Sequence, residues 1–179
     1  DLDRAIRYLG TAKSPTRISR WTALALKSRF CLYEGTYRKY HPELGLTESA
    51  ERFLTECVNA SAELIADGGY SAYNTGKISD YGDMFTATAP NAEFILARTY
   101  DKALSMVHSM NYVLLNSTYY AGAGMTRQMV ESYLMKDGTF FSSRPGADRM
   151  TFAEECANRD LRLAQTIRTP GYTVSYTHL

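Results

Sequence analysis

Between Pro15 and Pro42 the apolar and small residues Ile18, Trp21, Leu24, Ala25, Ser28, Cys31 and Leu32 recur at steps of three and four. That period belongs to an α-helix, and the spacing predicts one long amphipathic helix over 17–40, preceded by Pro15 and closed by Pro42. A stripe of this length has to be buried against a partner, and small residues at Ala23, Ala25 and Ser28 allow a second helix to come close. The partner follows at once. Thr47 is a candidate N-cap, although Ala50 stands where a full capping box would place Glu. Beyond it Ala50, Phe53, Leu54, Cys57, Val58, Ser61, Leu64 and Ile65 form one apolar side. Gly68-Gly69 supplies the left-handed conformation that ends such a helix, with Tyr70 placed to pack back. Two such helices joined by a short Pro/Gly segment form an antiparallel hairpin, the unit of tetratricopeptide-type repeats. The expected class is therefore mainly α, with tetratricopeptide-like hairpins and long irregular loops. A second full repeat is not visible.

Past Tyr70 the period loosens into Ser-, Asn-, Thr- and Gly-rich sequence. Asp80 to Phe85 is a short helical candidate, and Glu93 to Tyr100 is expected to be extended. Residues 101–124 form a loop-like aromatic stretch that ends in Ala121-Gly122-Ala123-Gly124. Thr126 can cap a helix carrying Met129, Val130, Tyr133 and Leu134, with Asp137-Gly138 closing it. The polar remainder from Phe140 to Gly171 is expected to be irregular.

A length of 179 residues fits one domain with a single core. A formal net charge of +1, with both signs scattered, provides no basic stripe for a phosphate backbone and argues against a nucleic-acid partner. No apolar run reaches the length of a membrane span. Asp1-Leu2-Asp3-Arg4 has neither an initiator Met nor a signal-peptide pattern, so the chain is expected to be an internal piece of a longer one. Cys31, Cys57 and Cys156 are odd in number and widely spaced, which suggests neither a disulfide framework nor zinc. His41, His108 and His178 match no metal-ligand spacing, and no cofactor is implied. Gly122-x-Gly124 lacks the third glycine and the Lys-Ser/Thr of a phosphate loop. Asp80/Asp83 and Glu154/Glu155 are the only close carboxylate pairs to weigh as a glycosidase couple, and pairs this near in sequence are usually caps or solvated faces.

What remains is the aromatic set of fourteen Tyr, seven Phe and one Trp. The C–H face of a sugar lies flat on an aromatic ring, while its hydroxyls require fixed donors and acceptors. The stretch from Arg98 to Tyr120 has that mixture, and its candidate glycan contacts are Arg98, His108, Tyr112, Tyr119 and Tyr120. The competing expectation for each ring is ordinary core packing.

Five ordered blocks of this sequence resemble the SusD/RagB family. They are Arg20 to Arg29 running on through Leu32-Tyr33-Glu34-Gly35-Thr36; Ala62-Glu63-Leu64-Ile65 with Gly69-Tyr70; and Tyr81-Gly82-Asp83-Met84-Phe85 followed by Asn91-x-Glu93-Phe94-Ile95-Leu96-Ala97-Arg98-Thr99-Tyr100. Then come Met125 to Gly138, the most specific block, and Asn158-Arg159-Asp160-Leu161-Arg162-Leu163 with Pro170-Gly171-Tyr172, where Leu161 stands in place of a proline. The resemblance implies a helical scaffold of tetratricopeptide-like pairs beneath irregular binding loops. It also implies a lipoprotein on the outer face of a Gram-negative outer membrane, its lipid anchor outside this fragment. Such a receptor hands an oligosaccharide or polysaccharide to a SusC-like TonB-dependent transporter and breaks no bond. On that basis 1–173 is expected to be part of one SusD-like helical domain, and 174–179 to be a non-native tail. The alternatives are a helical adaptor that docks the transporter with little sugar affinity and, behind it, a glycoside hydrolase.

Overall fold

The computed structural model describes residues 1–110 and 124–172. It is mainly helical: its described residues contain α-helices, short 3-10 turns and no strand, and Met135 forms an isolated antiparallel bridge with Arg159. The chain divides into two compact units. The first comprises Asp1–Tyr73 with Thr88–Leu104, and the second Asn74–Ala87 with Ser105–Leu179.

Three helices build the first unit: α1 (Leu2–Tyr8), α2 (Arg20–Tyr40) and α3 (Ala50–Asp67). Helix α2 starts at Arg20 and not at Arg17, because Ser19 is its N-cap and forms a capping box with Thr22, whose Oγ1 accepts the Ser19 N–H at 3.2 Å. Ile18 consequently lies outside the helix, 68% exposed, and does not join the apolar stripe. Helix α3 likewise starts later than its first candidate cap: Thr47 opens a 3-10 turn, and Ser49 takes the N-cap position. At the other end Gly69 adopts φ +60, the left-handed conformation that the Gly-Gly pair was expected to supply.

Contacts between α2 and α3 run in opposite order along the two helices. Arg20 pairs with Glu63, Lys27 with Glu56, Ser28 Oγ meets Ser61 Oγ at 2.7 Å, and Arg38 Nη1 donates to Ser49 Oγ at 2.9 Å. The hairpin is therefore antiparallel, as the periodicity and the short connection require. The two helices come close at Gly35, where a Cβ would lie 2.7 Å from Leu54 Cδ2 and 3.2 Å from the Leu54 backbone nitrogen. The core of this unit is Trp21, Leu24 and Ala60, with Ile6, Leu64, Tyr70 and Ile95 packed around it. Trp21 keeps its one polar atom satisfied by donating Nε1–H to Thr11 O at 2.8 Å.

Turns and bends break residues 92–96 and no strand is assigned over 97–100, where an extended segment was expected. Ile95 leans on the helical core, Ala97 N–H donates to Pro15 O, and the Glu93 carboxylate accepts the Tyr73 N–H at 2.6 Å. The segment is held to its neighbours by the Ala97 N–H and by side chains, not by a strand ladder.

The second unit contains α4 (Asp80–Thr86), α5 (Arg127–Ser132), α6 (Phe152–Cys156) and α7 (Leu161–Thr166). Gln165 joins α7 to α4, accepting the Gly82 N–H at 2.7 Å and donating to Ile78 O at 2.9 Å. Thr126 caps α5 as expected, its side chain accepting from Met129 N–H. That helix ends at Ser132 and does not run on to Asp137. Leu134 and Lys136 give their backbone bonds to the facing segment instead: Leu134 O accepts from Asp160 N–H at 2.9 Å, and Lys136 N–H donates to Asn158 O at 2.8 Å. Asp137-Gly138 is a separate turn, with Gly138 at φ +85. The stretch 140–171 is more ordered than the sequence suggested, because it holds α6, α7 and 3-10 turns at Phe141–Ser143 and Ala147–Arg149. Helix α6 carries a full capping box, Thr151 with Glu154. Among the described residues no helix is long and apolar enough to cross a membrane.

Candidate functional site

Of the five candidate sugar contacts, Arg98 and His108 lie among the described residues, whereas Tyr112, Tyr119 and Tyr120 lie outside them. Arg98 belongs to the first unit and is exposed, its guanidinium 5.4 Å from the centroid of the Tyr100 ring. Tyr100 is 48% exposed, so this cation–π pair presents an aromatic surface and a fork of donors to solvent. His108 belongs to the second unit and is also exposed. Its Nδ1 accepts the Met110 N–H at 3.3 Å, and Val107, His108, Ser109 and Met110 line a shallow hollow. Arg98 and His108 thus sit on the surface, each in its own unit.

The carboxylate pairs are engaged elsewhere. Asp80 accepts the Thr75 N–H at 2.6 Å, the Thr75 hydroxyl at 2.5 Å and the Lys77 N–H at 3.2 Å. The Thr75 hydroxyl foremost, with the backbone donors, holds this carboxyl below its ordinary range against the opposing effect of burial. Asp83 accepts from Ser79 Oγ at 2.7 Å. Glu154 closes the α6 capping box, accepting the Thr151 hydroxyl and N–H, which lower its pKa in that order. Glu155 pairs with Arg127 at 3.0 Å. These four groups are doing the work of caps, turns and ion pairs, as their sequence spacing suggested. No group of His, Cys, Asp and Glu among the described residues could hold a metal ion, and the three cysteines are free thiols. Burial raises the pKa of Cys31 and Cys156, which suits inert thiols better than nucleophiles.

Arg159 ties the ends of two helices of the second unit together, a role its sequence neighbourhood does not announce. Arg159 is 5% exposed. Its Nη1 donates to Glu155 O at 2.8 Å, and its Nη2 to Val130 O and Tyr133 O, both at 2.7 Å. The guanidinium lies 4.4 Å from the centroid of Phe141, itself 1% exposed. One planar cation therefore collects carbonyls from the ends of α5 and α6 and stacks on the deepest ring of the unit. Its neighbours fix it in place. Asn158 adopts φ 55, a left-handed conformation that Asn tolerates well, and Asp160 N-caps α7 by accepting from Arg162 N–H at 2.9 Å. The segment Asn158-Arg159-Asp160 is thus a structural clasp. Asn91 and Glu93 act similarly in the first unit, where Asn91 Oδ1 accepts the Glu93 N–H at 3.0 Å.

These clasps belong to the blocks whose resemblance to a known family was noted, and comparison with known proteins settles the point. A family model described as the SusD family matches residues 71–178, more than half of the chain. The chain belongs to the SusD family. Neither any curated protein nor any solved structure matches it. The match spans the Tyr81–Phe85, Asn91–Tyr100, Met125–Gly138 and Asn158–Tyr172 blocks, whereas the α2 and α3 blocks precede it. SusD-family proteins form a binding, non-catalytic family, and membership points in general to glycan-binding nutrient uptake by a cell-surface lipoprotein. Carbohydrate is accordingly the general class of partner.

Proposed function

We propose that this SusD-family chain is part of the glycan-binding component of an outer-membrane uptake system, holding an oligosaccharide or polysaccharide for a SusC-like TonB-dependent transporter. The observation that carries this proposal is the family match over 71–178, which contains the whole Arg98–Tyr120 aromatic stretch. In this account Arg98, His108, Tyr112, Tyr119 and Tyr120 supply the ring faces and hydroxyl partners that a sugar requires. The α2–α3 hairpin serves as the tetratricopeptide-like scaffold, and 1–173 is a portion of one such receptor domain. Binding and release then need no bond cleavage, in keeping with carboxylates already committed to caps and ion pairs.

A panel of polysaccharides examined by affinity gel electrophoresis and calorimetry tests the proposal. Tyr119→Ala with Tyr120→Ala is expected to weaken the best ligand by about tenfold, the worth of one to two aromatic contacts, with the helical circular dichroism unchanged. Unaltered affinity would remove those two rings from the site, and no affinity for any polysaccharide would remove the binding role. A second reading, a helical adaptor that docks the transporter, draws on the exposed Tyr33, Tyr37 and Tyr40 of α2. Capture of the transporter without measurable sugar binding would favour it.

A further inference from the structure

The geometry points to a second sugar-binding site, in a cavity of the first unit bounded by α1, α2 and α3, with Phe30 as its stacking ring and Lys27, Asp3 and Glu56 as its hydroxyl partners. The choice of a neutral pyranose as ligand rests on the glycan role proposed above; the site itself rests on the following features.

The cavity has a volume of about 580 Å³, inside the ~300–1,000 Å³ range of small-molecule sites, and Lys27, Phe30, Phe53, Arg52, Glu56 and Asp3 are among its lining residues. Lys27 and Phe30 are three residues apart on α2 and so share a helix face. Phe30 is 48% exposed, so its ring is accessible from solvent. The Phe53 ring is already approached by the guanidiniums of Arg38 at 4.6 Å and Arg52 at 5.1 Å, which makes it a wall and leaves Phe30 as the ring open to a ligand.

Beside that ring the Lys27 ammonium, its side chain 15% exposed, is gripped by Glu56 and by Asp3 at 2.7 Å. Two of its three donors are thereby used, and each carboxylate engages it through a single oxygen. What results is a row of acceptor, donor and acceptor. Adjacent sugar hydroxyls each donate and accept, so they match such a row, whereas a simple anion or cation would meet repulsion from one of its members.

The test is protein-observed NMR on the ¹⁵N-labelled full chain, titrated with maltotetraose, cellotetraose and xylotetraose to about 10 mM, the range in which weak single-site sugar binding is seen. Shifts should appear at the amides of Lys27, Phe30, Phe53 and Glu56. Phe30→Ala, at an exposed position and therefore expected to fold, should weaken the apparent affinity by about tenfold, and Lys27→Met should do likewise. Unchanged affinity in Phe30→Ala overturns the site. Shifts confined to 98–124 also overturn it while leaving the proposed glycan role standing, and so does the absence of shifts at these four amides with all three sugars, the wider role being decided by the polysaccharide panel.

Discussion

Replacing Arg159 with Met keeps much of the apolar volume that lies against Phe141 but deletes three charge-assisted hydrogen bonds of 2.7–2.8 Å to Glu155 O, Val130 O and Tyr133 O. Each bond of this kind contributes roughly 1.5–3 kcal/mol, and the lost cation–π contact adds about 1 kcal/mol. Two effects offset part of that sum. Water can reach some of the freed carbonyls, and burial disfavours the guanidinium strongly enough to push its pKa below the usual arginine value. The net loss is then about 3–5 kcal/mol, which corresponds to an opening constant roughly two to three and a half orders of magnitude larger. Hydrogen exchange read by mass spectrometry should show this loss of protection in 126–135 and 155–163, with α2 and α3 unchanged. Arg159→Lys should fall between the two, because a single ammonium cannot span three carbonyls as a planar fork does. If Arg159→Met cost less than about 1 kcal/mol, the clasp would be incidental and the fold of the second unit would have to be explained without it.

Gly35→Ala gains helix propensity worth about 1 kcal/mol, yet its Cβ would press on Leu54 at 2.7 Å from a side-chain carbon and 3.2 Å from backbone. The side chain can rotate away and the backbone nitrogen cannot, so a net destabilisation of about 1 kcal/mol is expected in urea unfolding of the first unit. Thr151→Ala removes the α6 cap, and amide protection at Glu155 to Ala157 should fall about fivefold in exchange measurements. The folded pKa of Asp80 is depressed, so the unfolded chain binds its proton more readily. The stabilisation is complete above the unfolded value near ~3.9 and is lost as pH falls through the folded one. Acid titration of amide protection over 75–86 should show that loss, and Asp80→Asn should flatten it.

The first unit was largely legible because its signals are local and periodic. Apolar steps of three and four, a proline at each end of α2 and a Gly-Gly stop on α3 each have one physical meaning. The start of α2 is set by the Ser19 capping box and not by the apolar period that reaches Ile18, and Thr47 opens a 3-10 turn ahead of α3 where it was expected to cap the helix itself. The second unit was harder. Its helices are too short for a period to show, and Leu134 and Lys136 leave the helical register to bond with partners more than twenty residues away. One local signal does mark a helix start in this unit: Thr151-x-x-Glu154 is a complete capping box, which places Glu154 in a cap and not in a catalytic pair. Arg159 could not have been located in the same way, because nothing in its own surroundings tells a buried clasp from a solvated cation. As for the candidate sugar contacts, their residue types suggested chemistry, and only Arg98 and His108 can be placed, both at the surface.

The chain has one tryptophan, and it sits in the core of the first unit. Its emission is therefore a private reporter: an intensity or wavelength change on heating or in denaturant registers the loosening of that unit and is blind to the other. Far-ultraviolet dichroism samples the helices of both. Overlaying the two melting curves would reveal, without any label or mutation, whether the two units lose structure together or one after the other.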